Sequence, residues 1–163
     1  MTLLMFVCFT QCQVNHKEQK GTQKQKAIVA YDEYTNEMSL RINNYVYDVK
    51  GKVFTNKNSY IEYKKEQFYN REIEISVKQG GNVVFTKKID KNIFSTYYKG
   101  NEINNRLIYN CNLTEVKDTS YLFIVIINLC EPETDNCRLF SVSFKRDGIF
   151  KITEKESSNS GEE

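Results

Sequence analysis

Histidine is almost missing from this chain: the single one, His16, stands in a polar stretch near the start. Ser-His-Asp and Cys-His catalysis therefore lack a base in the body of the protein, and multi-histidine metal sites are excluded. Cys-x-x-Cys, Walker, G-x-G-x-x-G and G-x-S-x-G signatures are missing too. So is any bias of charge, since 23 basic residues against 21 acidic leave a net of +2. That is too little to argue for nucleic acid or an anionic membrane surface. Lysines are scattered and often neighbour acids, as in Tyr63-Lys64-Lys65-Glu66, which reads as a solvated face. Tryptophan does not occur, and Pro132 is the one proline. These absences predict a non-catalytic protein, with no catalytic residues, no metal and no cofactor.

What is present points to strands. A length of 163 residues suits one domain, and Val, Ile, Tyr, Phe and Thr dominate its apolar stretches. Ala27 to Tyr31 reads as a first short strand. Met38 to Val49 reads as a second, turned by Lys50-Gly51-Lys52, and Ser59 to Tyr63 as a weak third. In REIEISV, Ile73, Ile75 and Val77 share one face while Glu72, Glu74 and Ser76 share the other. Gly80-Gly81 supplies a tight turn, and Asn82 to Ile89 returns. Asp90 reads as the N-cap of a short helix carrying Ile93-Phe94 and Tyr97-Tyr98.

Further on, Leu107 to Val116 places Leu107, Tyr109, Cys111 and Leu113 on one face. Tyr121 to Leu129 is continuously apolar and reads as a central strand buried on both sides. Cys137 to Phe144 alternates, Arg146-Asp147-Gly148 turns, and Gly148 to Thr153 pairs back. The predicted fold class is all-β: a mainly antiparallel meander closed as a sandwich or a half-open barrel, with one short helix. The domain is expected over 27–154, followed by a disordered tail over 155–163.

The opening segment is of another kind. From Thr2 to Thr10 the chain is uncharged and mostly apolar, too short to span a bilayer but right for the core of a signal peptide. Gln13 to Lys26 then has eleven Gln, Lys, Glu, Asn or His among fourteen residues, a solvated and flexible tether. A cysteine at that junction resembles the signal of bacterial lipoproteins, in which cleavage precedes a cysteine whose thiol takes a diacylglycerol. Where that class has Leu and a small residue ahead of the cysteine, this chain has Phe9-Thr10-Gln11. The resemblance implies a signal peptide over 1–11, lipidation at Cys12 and a tether over 12–26; Cys8 is the weaker candidate.

Cys130 and Cys137 bracket a six-residue acidic loop. Facing residues of a hairpin lie within disulfide reach, so an exported protein would oxidise the pair. A Cys111–Cys130 bridge is the competing arrangement, and otherwise Cys111 reads as a small core residue. Glu131, Glu133 and Asp135 share the loop but lack the ligand number and glycine of a calcium site. Tyrosines gather in the first half of the chain; Tyr31, Tyr34, Tyr45 and Tyr47 make a candidate binding surface, set against their ordinary use in flanking sheets.

The order of elements, with REIEISVKQGGNVVFTKKIDKNIF ahead of NRLIYNCNL and SYLFIVIINL, resembles small cell-envelope lipoproteins of unknown function from Bacteroidetes. That resemblance implies an envelope location and a β-rich domain, and it implies no reaction. The expected function is a non-catalytic binding domain, anchored to the membrane by lipid and facing the periplasm or exterior, with an envelope protein or glycan as partner. The alternative expectation is a barrel-like carrier of an apolar ligand.

Overall fold

A computed structural model describes residues 27–116 and 120–155. Nine strands are found among them: β1 (Ile28–Val29), β2 (Tyr34–Ile42), β3 (Tyr45–Tyr63), β4 (Glu66–Gln79), β5 (Asn82–Ile89), β6 (Leu107–Thr114), β7 (Phe123–Cys130), β8 (Cys137–Phe144) and β9 (Phe150–Lys155). Two 3-10 segments, Lys91–Tyr97 and Glu102–Asn105, join β5 to β6. The first five strands make one sheet, with β3 along one edge of β4 and both β1 and β5 along the other. The last four make a second sheet in simple sequence order.

The inner faces of the two sheets share one core. Val53, Ile73, Ile75 and Val77 from the first sheet cluster with Val125, Ile127, Phe140 and Phe144 from the second. Phe94 of the first 3-10 segment is fully buried among them and stacks obliquely on Phe140, with ring centroids 4.7 Å apart. Each such side chain contributes about 1.5–3 kcal/mol by leaving water. Of the two expected architectures the fold is thus the sandwich, and neither sheet closes on itself into a barrel.

Several expectations hold as read. The REIEISV alternation buries Ile73, Ile75 and Val77 completely. Gly80 and Gly81, at φ 56° and 84°, turn β4 into β5. Asp90 caps the first 3-10 segment, its Oδ1 accepting from the Asn92 N–H at 2.7 Å.

Other boundaries move. Met38 to Val49 is not one strand. The chain turns at Asn43-Asn44, where Asn43 adopts φ 55° and Ile42 pairs with Tyr45. Lys50-Gly51-Lys52 is not a turn but the middle of β3: both lysines face water, while Gly51 faces the core, where a Cβ would come within 3.3–3.6 Å of Ile75, Leu113 and Cys111. Ser59 to Tyr63 is the far end of that same strand. β1 runs parallel to β4, because Ile28 and Val29 pair with Gln67 and Phe68, so the sheet is mixed rather than purely antiparallel. A bulge between Ile108 and Asn110 turns Tyr109 outward, 54% exposed, away from the face of Leu107 and Cys111. β7 is buried fully on one face only; Ile124, Ile126 and Asn128 on the other are half-buried.

Candidate functional site

The four tyrosines do not form one surface. Tyr47 lies in the core, 4% exposed, because its strand position faces the second sheet. Tyr45 shares that face but stands at the very start of the strand, beyond the core, and is exposed near Val46, Val83 and Val84, where the hairpin tips of Asn43-Asn44 and Gly80-Gly81 meet in an open groove. Tyr31 and Tyr34 are taken up by Arg71, whose guanidinium lies 5.8 Å and 5.7 Å from their ring centres. The Tyr34 hydroxyl also donates to Asn110 Oδ1 at 2.9 Å and accepts from the Cys111 N–H at 2.7 Å.

Arg71 itself is 4% exposed. It donates to the carbonyls of Ile108 (3.2 Å), Tyr109 (2.9 Å) and Asp32 (2.7 Å). The bulge in β6 is what turns two successive carbonyls toward it. A buried cation is tolerated when carbonyl dipoles and aromatic faces replace its water. Burial still pulls the guanidinium down and pushes the Tyr34 and Tyr31 hydroxyls up. This cluster fastens three segments together and is structural.

Cys130 and Cys137 are cross-strand partners, 4.0 Å apart at Cα, and form the expected disulfide. Cys111 is a free thiol, fully buried, which settles against the Cys111–Cys130 alternative; burial pushes it up to about 12. Glu131 of the bridged loop turns inward. It accepts from the Tyr63 hydroxyl at 2.8 Å and pairs with Arg106 at 3.3 Å. The Tyr63 hydrogen bond holds Glu131 below the usual carboxylate range, helped by Asn136, Arg106 and Lys64. Among the described residues no group of three or more His, Cys, Asp or Glu is placed to hold a metal ion. Cys12 lies outside the described residues, as do the apolar opening, the tether and the chain from residue 156 onward.

The most site-like feature is one that sequence reasoning missed. Pairing of β3 with β4 runs through Asn56–Asn70 and resumes at Tyr60–Tyr69, so residues 57–59 leave the ladder. Beneath this excursion opens a polar groove lined by Asn56, Ser59, Asn70, Asp90, Lys91 and Asn92, of about 140 Å³. It continues, through Ser59, Asn70, Lys91 and Asn92, into a wider recess of about 400 Å³ bordered by Tyr60, Asn104 and Asn105.

Lys91 is 8% exposed at its floor. The ammonium donates to the carbonyls of Asn104 (3.0 Å) and Arg106 (3.1 Å), the end of the second 3-10 segment, where carbonyls lack helical partners. Burial lowers it to about 8, against the opposing pull of Asp90. Two hydrogen bonds leave one of its three protons unassigned to those carbonyls. The carboxylates are tethered: Glu72 accepts from Asn56 and from Lys88, and Asp90 from the Asn92 N–H. Asn70 donates to Ser59 Oγ, but its own Oδ1 is buried without a partner, as is Nε of Arg71. The one hint in the sequence is asparagine recurring at 56, 58, 70, 92, 101, 104 and 105, scattered over four elements that only folding gathers.

A family model described as a domain of unknown function, DUF4738, matches residues 7–152. No curated protein matches the chain.

Proposed function

The chain belongs to the DUF4738 family, and from that premise we propose that it is a lipid-anchored, non-catalytic binding protein of the bacterial cell envelope, in which the sandwich itself does the binding.

 The single observation that carries this reading is the polar groove with Lys91 at its floor, which opens into a recess of about 400 Å³, a size in the range of small-molecule sites. The uncharged run from Thr2 to Thr10, Cys12 at its end and the polar stretch after it support export and anchoring. The Cys130–Cys137 bridge agrees with an oxidising compartment such as the periplasm or the cell exterior. A doubly or triply acylated cysteine would hold the protein firmly, where one chain alone would not.

Intact mass spectrometry of the protein from its native membrane fraction tests the anchor. The expected chain starts at Cys12 and carries acyl mass. A chain starting at Met1 with all thiols free overturns both anchoring and export. The apolar-carrier alternative is set aside: it needs a barrel lumen, whereas here the two sheets fill the space between them with side chains.

A further inference from the structure

We propose that the groove between the β3 excursion and the two 3-10 segments binds a neutral, hydroxyl-rich saccharide; this deepens the binding reading above and rests on it. Arg71 and Lys91 border the groove, but so do Glu62, Glu72 and Asp90, so two cations face three carboxylates. Such a lining gives a free anion no net attraction and gives a cation two buried positive neighbours.

What remains is hydrogen bonding of both signs at close spacing. A carboxamide offers donor and acceptor together, and Asn56, Asn70, Asn92, Asn104 and Asn105 all border the groove. Asn70 Oδ1 is a buried acceptor without a donor, and leaving it so costs about 1–3 kcal/mol. A hydroxyl is the ligand group that both gives a proton to a carboxamide oxygen and accepts one from a neighbouring amide or ammonium. Saccharides present such groups on adjacent carbons.

The rim adds the second half of the signature. Tyr60 is 53% exposed at the mouth of the recess, an aromatic surface available to the C–H face of a sugar ring. A peptide is the poorer fit: peptide grooves take alternate side chains in pockets. Here the one aliphatic lining residue, Ile61, is itself 7% exposed and packed on Phe68 and Leu107.

The test uses the full-length chain with its disulfide formed, labelled with nitrogen-15 and titrated with neutral hexasaccharides of glucose, xylose and N-acetylglucosamine. Oligogalacturonate serves as the acidic probe and a tryptic peptide mixture as the peptidic one. The expected result is that at least one neutral sugar, at millimolar concentration, shifts the side-chain amide signals of Asn70 and Asn92. Tyr60→Ala and Asn70→Leu should each weaken that sugar about tenfold, a loss near 1.4 kcal/mol, while Tyr45→Ala at the far hairpin tips leaves it unchanged. Amide signals that respond to oligogalacturonate or peptides alone overturn the saccharide assignment and leave the binding reading standing. Signals unmoved by every probe overturn both.

Discussion

Lys91 and Arg71 are the two residues whose burial asks most of their surroundings. Lys91 titrates at about 8 in the folded chain against 10.5 ordinarily. Between those values the unfolded chain binds a proton that the folded chain has shed, so its contribution to stability rises with pH across that window. Below it the charged amine is buried at a cost. Cys111, raised from 9.0 to about 12, acts in the opposite sense, because the unfolded thiol ionises first and stability falls. Comparing wild type with Lys91→Met cancels the thiol, and urea midpoints should show the variant gaining on wild type below pH 8 and losing that gain toward 10.5. A parallel pair of curves would mean that Lys91 does not titrate there. Arg71→Met removes the donor shared by the Ile108, Tyr109 and Asp32 carbonyls. It should cost about 2–4 kcal/mol, and Arg71→Lys should not restore it, since one ammonium cannot reproduce the fork. Equilibrium unfolding of both variants checks this.

At the scale of elements, the hairpins differ in how well their turns suit them. β4 and β5 meet through Gly80-Gly81, for which positive φ is free of strain. β3 and β4 meet through Lys64-Lys65, at φ 47° and 71°, with Tyr63 paired to Glu66. Left-handed backbone costs a residue with a Cβ about 1–2 kcal/mol. Lys64→Asn with Lys65→Gly should therefore raise the urea midpoint by the equivalent of about 1–2 kcal/mol at unchanged m-value. A fall would show that the two lysines earn their place by contacts, such as that of Lys64 over the Tyr63 ring. The bridge between β7 and β8 closes a loop over a sequence separation of 7. Cys130→Ser with Cys137→Ser should cost about 2.5 kcal/mol by chain entropy, measured against the oxidised protein in the same melt. The second sheet should keep its strand order, since the pairing of β7 with β8 continues through Phe123 and Phe144.

For the whole molecule, the shared core ties the two sheets into one cooperative unit. Residues from both sheets and from the first 3-10 segment belong to a single cluster, so neither sheet keeps a covered face without the other. Far-ultraviolet circular dichroism and tyrosine fluorescence should therefore report one coincident transition; separate midpoints would mean that one sheet survives alone. The ends of the sandwich are also distinct. β1 joins beside Gln67 and Phe68, near the Lys64-Lys65 turn, while the tips at Asn43-Asn44 and Gly80-Gly81 lie at the other end of β3 and β4.

The sequence by itself determined what period and composition encode. Strict alternation in REIEISV, glycines at a turn and an aspartate ahead of a short helix are local signals, and the structure follows each. The Cys130–Cys137 pair was legible for the same reason, since a short loop between strands brings its own ends together. Tertiary structure alone decided the rest. Gly51 reads as a turn residue until its surroundings are seen, because the space a side chain would need is taken by Ile75 of the neighbouring strand and by Leu113 and Cys111 of the second sheet. Lys64-Lys65 carries no turn residue, so register rather than propensity sets that bend. Tyr47 and Tyr45 look alike in sequence, yet one is buried and the other exposed. The groove is the extreme case: Asn56, Asn70, Asn92 and Asn104 belong to separate elements, and polar residues have no periodicity to announce that a strand excursion will gather them around one buried ammonium.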